Sequence, residues 1–362
     1  MRFLFLALTL LLTASLSPAV PAHASNPSTD TMPRLTELSN IESQRGRDAL
    51  ATLLEVSPYV AYLEQNGAFE EEPTEYEHTP ATGTQDVGTR TLYGPNYNAT
   101  DIPYQSRQAG TLAFHGFEQH IDRSIIADRD RGLRGVDRYL ARHLPKKQRS
   151  FSRGYEQKAL TGDPGTNAGE MTGLLTLVDG VTNVPGIGAT MSIDAADWLP
   201  GAADHFDLTL EANQALFIEK LMTTIPYVPM CNGLVMNHTL QGLLTTIMHR
   251  LHVMGEARNL FGEIVTAFNQ KPLVGVRESS IGNDFPDGAA ATVTTKLIIS
   301  AAMPGYLSVV TNSGLEFQDW DEADELDDNN ERRVRCEMRS NTKIDDDEAV
   351  IVIHNIKAIR TA

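Results

Sequence analysis

The sequence predicts a mixed α+β fold, and three observations point to it. The longest helical pattern, at 118–160, is followed by a segment rich in Gly, Thr, Val and Pro that is typical of short strands and turns. A helix, a short strand, a second helix and several strands follow between 206 and 310. The chain closes on Ala349-Val350-Ile351-Val352-Ile353, which has the length and content of a buried strand. This order of elements is typical of an α+β domain.

The composition excludes several classes of protein. The 362 residues contain 30 Lys and Arg against 47 Asp and Glu, which gives a formal charge of −17. A surface this acidic does not clamp DNA over its whole area, because phosphate binding needs clustered basic side chains. The hydrophobic fraction, 41%, is too high for a wholly disordered chain. Two cysteines are too few for a disulfide scaffold or a four-thiolate zinc site.

Residues 1–31 have the pattern of a signal-like leader. Arg2 precedes an apolar run over 3–12, and Ala22-His23-Ala24 has the form of a cleavage signal. The run is too short for a membrane span, and no later segment reaches about 18 consecutive apolar residues. Met32 offers an alternative start. A secretory signal peptide and an upstream extension outside the working protein are therefore both open.

The N-terminal part of the chain predicts an amphipathic helix, which is either an arm or a helix packed on its own domain, and the segment after it predicts an extended two-stranded arm. Apolar residues at helical spacing indicate a helix over 36–54 that ends at Ser57-Pro58. Gly and Pro then interrupt 66–110, while 89–93 and 111–114 have the pattern of short strands. A loop of about forty residues is abnormal inside a compact domain. A long two-stranded arm that extends from the body fits this segment better.

Residues 118–160 predict a long helix with an excess of basic residues. Eleven Lys and Arg against six Asp and Glu give this stretch a charge of +5. Pro145 is expected to break or kink the helix, and Gly162-Asp163-Pro164-Gly165 is expected to end it. Its basic face would suit contact with nucleic acid. A solvated face that is balanced by neighbouring acids is the alternative.

In the rest of the chain, predicted helices alternate with predicted strands. Helices are predicted over 206–225 and 234–254, with a short buried strand at 227–232 between them. Strands are predicted at 264–268, 273–276, 292–299 and 308–310. The acidic segment 319–331 is predicted to be a solvated loop or a hairpin tip.

Sequence motifs for catalysis and for phosphate binding are absent. The sequence has no G-x-x-x-x-G-K-S/T loop and no G-x-S-x-G elbow. Gly186-Ile187-Gly188 lacks the third glycine of a dinucleotide-binding fingerprint and is predicted to be a plain turn. We therefore predict that the chain is not an enzyme, with no catalytic residue and no cofactor.

The histidines and one acidic run were considered as metal ligands. His249 and His252 lie three residues apart on a predicted helix with His238 nearby, but no Glu accompanies them as in H-E-x-x-H. His115 and His120 are weaker candidates. Asp345-Asp346-Asp347-Glu348 lacks the alternating spacing and central Gly of a calcium loop, so a charged turn is favoured. No metal site is predicted.

The roles of the two cysteines and the two sequons depend on the compartment in which the chain resides. Cys231 and Cys336 could pair if the chain is exported, whereas Cys231 would be an inert buried thiol in the cytosol. Asn98-Ala99-Thr100 and Asn237-His238-Thr239 matter only in a glycosylating secretory route.

From Met32 onward, the order of segments resembles the major capsid proteins of tailed bacteriophages, of the Hong Kong 97-like family. Four stretches carry the resemblance: Met32-Pro33-Arg34-Leu35-Thr36-Glu37-Leu38, Ala159-Leu160-Thr161-Gly162-Asp163, Pro229-Met230-Cys231-Asn232, and Phe261-Gly262-Glu263-Ile264-Val265-Thr266-Ala267-Phe268-Asn269-Gln270-Lys271-Pro272-Leu273. They are similar to the N-terminal arm, the end of the spine helix, an axial-domain strand and the family's "FGR-V-xx-YNG-PL" stretch, respectively.

The resemblance implies a Hong Kong 97-like capsid fold. Its parts would be an N-terminal arm at 32–65, an extended loop at 66–117 that lies over a neighbouring subunit, a spine helix and peripheral domain at 118–200, an axial domain at 201–310, and a return to the peripheral domain with a C-terminal strand at 311–362. Some members crosslink subunits between a Lys and an Asn, but 66–118 contains no Lys. No catalytic residue is carried over.

The function implied is that of the major capsid (head) protein of a tailed phage or prophage. Such a chain self-assembles through pentamers and hexamers into an icosahedral shell, contacts packaged DNA non-specifically, and has a scaffold, a prohead protease and a portal as partners. Such a chain would assemble in the host cytoplasm and then reside in the virion. Its synthesis would start near Met32, or its leader would be removed without export, and it would have no membrane association. An exported acidic envelope or binding protein, periplasmic or secreted, and a secreted hydrolase are the alternatives.

Overall fold

Helices and strands alternate along the described part of the chain, which makes the fold α+β. The computed structural model describes residues 34–39, 44–78, 108–122, 133–179, 192–199, 204–277, 279–281, 294–320 and 331–358. The chain divides into two units, Met1–Met32 and Pro33–Ala362, and all described residues belong to the second. The leader, the predicted 89–93 strand, the Asn98 sequon and the Gly186 turn lie outside the described residues.

The elements follow one another in this order. The described helices are α1 (Leu35–Leu38), α2 (Gln44–Val56), α3 (Pro58–Gln65), α4 (Leu133–Thr161), α5 (Leu174–Asp179), α6 (Glu211–Thr224) and α7 (His238–Arg250). The described strands are β1 (Phe69–Glu71), β2 (Glu75–His78), β3 (Gln108–Thr111), β4 (Ala113–Asp122), β5 (Ser192–Asp194), β6 (Phe206–Asp207), β7 (Gly233–Asn237), β8 (Met254–Arg258), β9 (Ile264–Phe268), β10 (Lys271–Val276), β11 (Thr294–Ser300), β12 (Leu307–Trp320), β13 (Glu331–Ile344) and β14 (Val350–Lys357). No helix among these residues is long and apolar enough to span a membrane.

An eight-stranded sheet contributes to two hydrophobic cores, one on each face. Its order is β5-β14-β11-β7-β10-β9-β8, with β6 also paired to β14. On β7, Leu234 and Met236 belong to one core and Val235 belongs to the other, and β11 and β14 alternate in the same way. Because successive side chains point to opposite faces, a continuous apolar run is buried on both sides. This explains why the predicted strands at 273–276, 292–299 and 349–353 are confirmed. The predicted strand at 264–268 is also confirmed, although Ile264 is exposed.

A four-stranded sheet, β1-β12-β13-β4, carries the second layer of the fold. Strands β12 and β13 pair antiparallel from Leu307↔Ile344 to Trp320↔Arg333, so the predicted strand at 308–310 is the beginning of a much longer one. The hairpin form predicted for the acidic segment agrees with these flanking strands, although 321–330 lies outside the described residues.

The prediction of one helix over 118–160 is wrong at its beginning. Residues 118–122 belong to β4, which pairs with β13 from Ala113↔Ser340 to Asp122↔Glu331, and the helix begins at Leu133. Exposure alternates along β4 with a period of two, which the mixture of charged and apolar residues concealed. Pro145 does not break α4 either, because it is exposed and water can satisfy the carbonyl that loses its helical partner.

Several other boundaries differ from the sequence prediction. The helix predicted over 206–225 begins at Glu211, because Phe206 and Asp207 pair with β14. The strand predicted at 227–232 lies instead at Gly233–Asn237, where β10 and β11 pair on either side, and the following helix covers His238–Arg250. In the stretch predicted as short strands, Leu174–Asp179 forms α5. Pairing with distant strands sets these boundaries and outweighs local propensity.

The predicted helix over 36–54 is divided into α1 and α2. Ser39 ends α1, and its Oγ accepts a hydrogen bond of 2.9 Å from the backbone nitrogen of Leu315 at a register shift in β12. Gly314, beside it, has φ +64, and a Cβ there would lie 2.9 Å from Ser39 N and 3.0 Å from Leu38 C. Only glycine suits this position, because it tolerates positive φ and leaves room for the arm.

Candidate functional site

Helix α3 is the element to which the N-terminal arm is fastened. The buried carboxylate of Glu64 accepts hydrogen bonds from the backbone nitrogens of Leu35 (2.7 Å) and Thr36 (3.3 Å) and from Thr36 Oγ1 (2.6 Å). The first N–H groups of a helix have no partner inside it, and a carboxylate there also interacts favourably with the helix dipole. Glu64 therefore caps α1 from a different helix.

The first turn of α3 is held by α4 in a similar way. The carboxylate of Glu156, which is fully buried, accepts hydrogen bonds from the backbone nitrogen of Tyr59 (3.3 Å) and from Ser280 Oγ (3.1 Å). Burial raises the pKa of Glu156, while these two hydrogen bonds and the nearby charges of Arg277 and His238 oppose the rise. One carboxyl group therefore joins α4, α3 and the loop that follows β10.

The middle of α3 contacts the eight-stranded sheet through Tyr62. Its hydroxyl bonds the side chain of Asn232 and lies 3.0 Å from Ser300 Oγ. Asn232 in turn exchanges hydrogen bonds of 2.8 Å and 3.0 Å with the backbone of Ala302. Burial raises the pKa of Tyr62, so its hydroxyl remains a donor at physiological pH. Helix α3 thus connects the N-terminal arm, the long helix and the sheet.

The extended segment predicted at 66–117 begins and ends in a two-stranded ladder. Strands β2 and β3 pair antiparallel from Glu75↔Thr111 to His78↔Gln108, and the residues between them lie outside the described part. Tyr76 is buried with Leu112 and Val310, so the ladder is anchored to β12. Gly110 leaves room for the Tyr76 ring, which a Cβ would overlap. This is the base expected of a two-stranded arm.

Lys343 fixes the strands at this base. Its Nζ lies 2.7 Å from Glu70 Oε2 and 2.9 Å from Asp345 Oδ2, and its side chain is 8% exposed. Burial alone would lower the pKa of Lys343, but its hydrogen bonds to Glu70 and Asp345 outweigh that effect and raise the pKa above its usual range. The ion-paired lysine therefore joins β13 to β1, the strand that precedes the arm.

Large apolar side chains are exposed in two places on the eight-stranded-sheet half of the fold. One group lies on the hairpin of β8 and β9 and just before it: Met254, Phe261 and Ile264. The other lies around α6 and after it: Leu210, Met222, Tyr227 and Met230. Phe261 and Ile264 are 53% and 64% exposed, and they lie three residues apart on the same hairpin. Exposed Met and aromatic side chains are enriched where proteins contact each other.

Helix α4 presents a row of cations to solvent. Arg142, Lys146, Arg149 and Arg153 are all exposed, and we name them the basic stripe. Their spacing of four, three and four residues puts them on one face of the helix. Within the described residues, no side chain forms a salt bridge with any of the four.

The histidines do not assemble a metal centre within the described residues. His249 lies in the last turn of α7, whereas His252 follows the helix with φ 56, so the two do not share a helical face. His115 is buried against Tyr155, and burial lowers its pKa to about 4. His120 is exposed, 3.4 Å from Glu118. No group of three or more His, Cys, Asp or Glu in this part of the chain could hold a metal ion.

The remaining sequence candidates have structural roles. Cys231 and Cys336 are buried free thiols in different cores, so they are not paired. Asn237 is 3% exposed and its Oδ1 accepts a hydrogen bond from Leu240 N at 2.8 Å, which makes this sequon a helix cap. Asp345 pairs with Lys343, and Asp346 caps the 3-10 turn before β14, which agrees with the predicted charged turn.

The sequence prediction missed Glu64, Glu156 and Lys343. Glu64 and Glu156 bond residues 29 and 97 positions away along the chain, and Lys343 bonds Glu70 273 positions away. No short motif records such contacts. One signal was present for Glu156, since it is the single acid on the otherwise basic stretch 139–158.

Comparison with solved structures identifies the fold. The capsid of a native GTA particle matches with TM-score 0.50 and 14% identity, over 94% of this chain and 100% of that chain. The holo-SrpI encapsulin complex from Synechococcus elongatus PCC 7942 matches with TM-score 0.48 and 10% identity over 81% and 86%. The satellite phage P4 procapsid matches with TM-score 0.45 and 12% identity over 86% and 99%. No protein-family model and no curated protein matches the sequence.

The match to the GTA capsid spans nearly all of both chains, and it places this chain in the Hong Kong 97-like capsid fold. The α+β fold class and the family resemblance seen in the sequence are confirmed at the level of the fold. Among the described residues, the long helix α4, the β2–β3 ladder and the N-terminal segment that Glu64 holds against α3 are elements of this fold.

Proposed function

We propose that the chain is the major capsid (head) protein of a tailed phage or prophage, which self-assembles into an icosahedral shell around DNA. The observation that carries the proposal is the capsid fold, with similarity over 94% of the chain. Shell subunits repeat one set of contacts by symmetry, and arms that reach a neighbour bury more area than a compact subunit offers. The segment that the β2–β3 ladder closes is the candidate for such an arm.

Within this proposal, each region has a role. The N-terminal arm at 32–65 packs on the core of its own subunit, and the loop at 66–117 lies over a neighbouring subunit. Residues 118–200 with 311–362 form the peripheral domain, and residues 201–310 form the axial domain. The chain works as pentamers and hexamers, is not an enzyme, and acts with a scaffold, a prohead protease and a portal. It resides in the virion after assembly in the host cytoplasm, and the exposed side chains of Phe261 and Ile264 lie in a subunit contact.

Particle formation tests the proposal. The chain would be expressed from Met1 and from Met32, separated by size-exclusion chromatography and viewed by negative-stain microscopy. Pentamers, hexamers or closed shells are expected, and a variant with Phe261→Ser and Ile264→Ser should lose them while its thermal midpoint stays within about 2 °C. Glu256→Ser, on the neighbouring strand β8, is the matched control and should still assemble.

Two results would contradict the proposal. One is a monomer that forms no particle at high concentration even with its scaffold supplied. The other concerns the compartment: mass spectrometry that finds mature chains beginning at Ser25 in the periplasm would exclude assembly in the cytoplasm.

A further inference from the structure

The basic stripe on α4 stands out because the rest of the chain is acidic. Arg142, Lys146, Arg149 and Arg153 are exposed on one face, and they extend over about 16 Å at 1.5 Å per residue. Lys147 is exposed beside them. The formal charge of the whole chain is −17, so a row of cations without acids runs against the general composition.

Between residues 139 and 158, α4 presents no exposed acid beside the stripe. The single acid in this stretch is Glu156, which is fully buried and bonded to Tyr59 and Ser280. The one ion pair described for this part of α4 joins Lys158 to Glu170 at 3.6 Å, beyond the end of the stripe. The four cations therefore face solvent with their charge available to a partner.

A second helix holds α4 in place. Gln148 is buried on a face of α4 away from the stripe, and its Nε2 donates a hydrogen bond of 3.4 Å to the backbone oxygen of Arg45 in the first turn of α2. The stripe therefore lies on a packed helix and has a fixed geometry, unlike a flexible basic tail.

We propose that the basic stripe binds the phosphate backbone of duplex DNA, and this inference rests on the proposed function of a shell around DNA. Duplex DNA carries one charge per about 1.7 Å of axis when both strands are counted, so a length of about 16 Å, equal to that of the stripe, carries about ten phosphate charges. Lys and Arg contacts to phosphate carry no sequence information, so the binding is non-specific. In the shell, the solvent face of α4 therefore points to the interior.

Neutralising the stripe tests this inference on the full-length chain. The stripe variant combines Arg142→Gln, Lys146→Gln, Arg149→Gln and Arg153→Gln. The control combines Arg34→Gln, Lys220→Gln, Arg250→Gln and Arg258→Gln, none of which lies on α2 or α4. Both variants change the formal charge from −17 to −21. The control also removes the ion pair of Arg250 with Glu211 and the bond of Arg258 to Gly262 O, so thermal unfolding would confirm that both variants are folded.

Binding to a duplex of about 30 base pairs would be followed by fluorescence anisotropy between about 50 and about 200 mM salt. Light scattering would confirm that the samples contain no particles, and microscopy would score particle formation separately. The stripe variant should lower the slope of log affinity against log salt by about 3.6 and weaken binding at low salt more than tenfold. The control should keep the slope within about one unit of the unsubstituted chain.

Three outcomes would overturn the inference. Equal losses in the two variants would mean that only overall charge matters. Absence of binding by the unsubstituted chain at low salt would mean that the surface takes no DNA. A stripe variant that keeps its DNA affinity but no longer forms particles would mean that the stripe contacts an acidic face of a second copy. Failure of the proposed function is a different result, because it appears as no particles for any of the three chains.

Discussion

The carboxylate of Glu64 on α3 lies 2.7 Å from the backbone nitrogen of Leu35, and this hydrogen bond fastens the N-terminal arm to the rest of the fold. The same helix receives a carboxylate at its own first turn, because Glu156 of α4 accepts from Tyr59 N at 3.3 Å. Two buried carboxyl groups therefore link α4 to α3 and α3 to α1. The long helix and α1 are thus coupled through α3.

Removing the Glu64 carboxylate should release the arm. Glu64→Ala leaves the N–H groups of Leu35 and Thr36 without their acceptor, and we expect a loss of about 2–3 kcal/mol in the free energy of unfolding. Urea denaturation measures this loss, and hydrogen exchange should rise first at the amides of 35–39. Glu37→Gln is the control, because its exposed carboxylate makes one longer bond of 3.3 Å to Arg34 N. A loss as large for Glu37→Gln would contradict the specific role of Glu64.

The Glu156 carboxyl should make stability depend on pH. Burial raises its pKa in the folded state above the unfolded value, so the folded chain binds this proton more tightly. The group therefore favours folding most at low pH, and that contribution is lost as pH rises through the unfolded pKa toward the folded one. Glu156→Gln cannot ionise, so its stability relative to the unsubstituted chain should increase with pH between about 4 and about 8.

Thermal unfolding of both chains across that pH range checks the prediction. A difference that stays constant or falls with pH would contradict it. Glu156→Ala separates the hydrogen bonds from the charge, because it leaves Tyr59 N and Ser280 Oγ without an acceptor, and it should be less stable than Glu156→Gln at every pH.

Lys343 should contribute far more to stability than an exposed lysine in an ion pair. Lys343→Met leaves Glu70 and Asp345 without their cation, and we expect a loss of about 2–4 kcal/mol at neutral pH. Since the folded pKa of Lys343 is raised above 10.5, its contribution is complete below that pH and is lost as pH rises through the folded value. The alkaline loss should therefore be smaller in Lys343→Met.

Lys158→Met is the matched control for this prediction. The Lys158 side chain is 42% exposed and lies 3.6 Å from Glu170, so its ion pair is worth less than about 1 kcal/mol. Denaturant unfolding of the two variants compares them directly, and similar losses would show that burial of the Lys343 pair does not matter.

Strands buried on both faces were predictable from the sequence, whereas the beginning of α4 was not. The strand predicted at 349–353 is confirmed because its apolar run is too short for a helix and is buried throughout. In β4, His115, Phe117 and Gln119 alternate with Phe114 and Glu118, and the same charges also fit a helix. Pairing with β13 decides between the two, and that partner lies more than 200 residues away in the sequence.

The candidate site likewise contains residues that the sequence could predict and residues that it could not. The basic stripe was visible in the sequence, because a helix fixes which residues share a face once its bounds are known. The contacts of Glu64, Glu156 and Lys343 were not visible, since each joins elements that only the tertiary fold brings together. The exposure of Phe261 and Ile264 also needed the structure, because the same apolar residues would suit a core.

The end of α4 offers a test in which one substitution has opposite effects at two positions. Gly162 follows the last turn of the helix, and a Cβ there would overlap the carbonyl oxygens of Met171 and Lys158, which are backbone atoms that cannot turn aside. Gly162→Ala should therefore cost about 1–3 kcal/mol. Gly154 lies inside α4, and a Cβ there would have no atom within 4 Å.

Gly154→Ala should stabilise the chain by about 0.5–1 kcal/mol, because alanine loses less backbone entropy than glycine when it enters a helix. Thermal denaturation of the two variants, compared with the unsubstituted chain, should show midpoints that move in opposite directions. If both variants were stabilised, the close approach between the end of α4 and the segment before α5 would be wrong. If both were destabilised, α4 would not continue as a regular helix past Pro145 to its last turn.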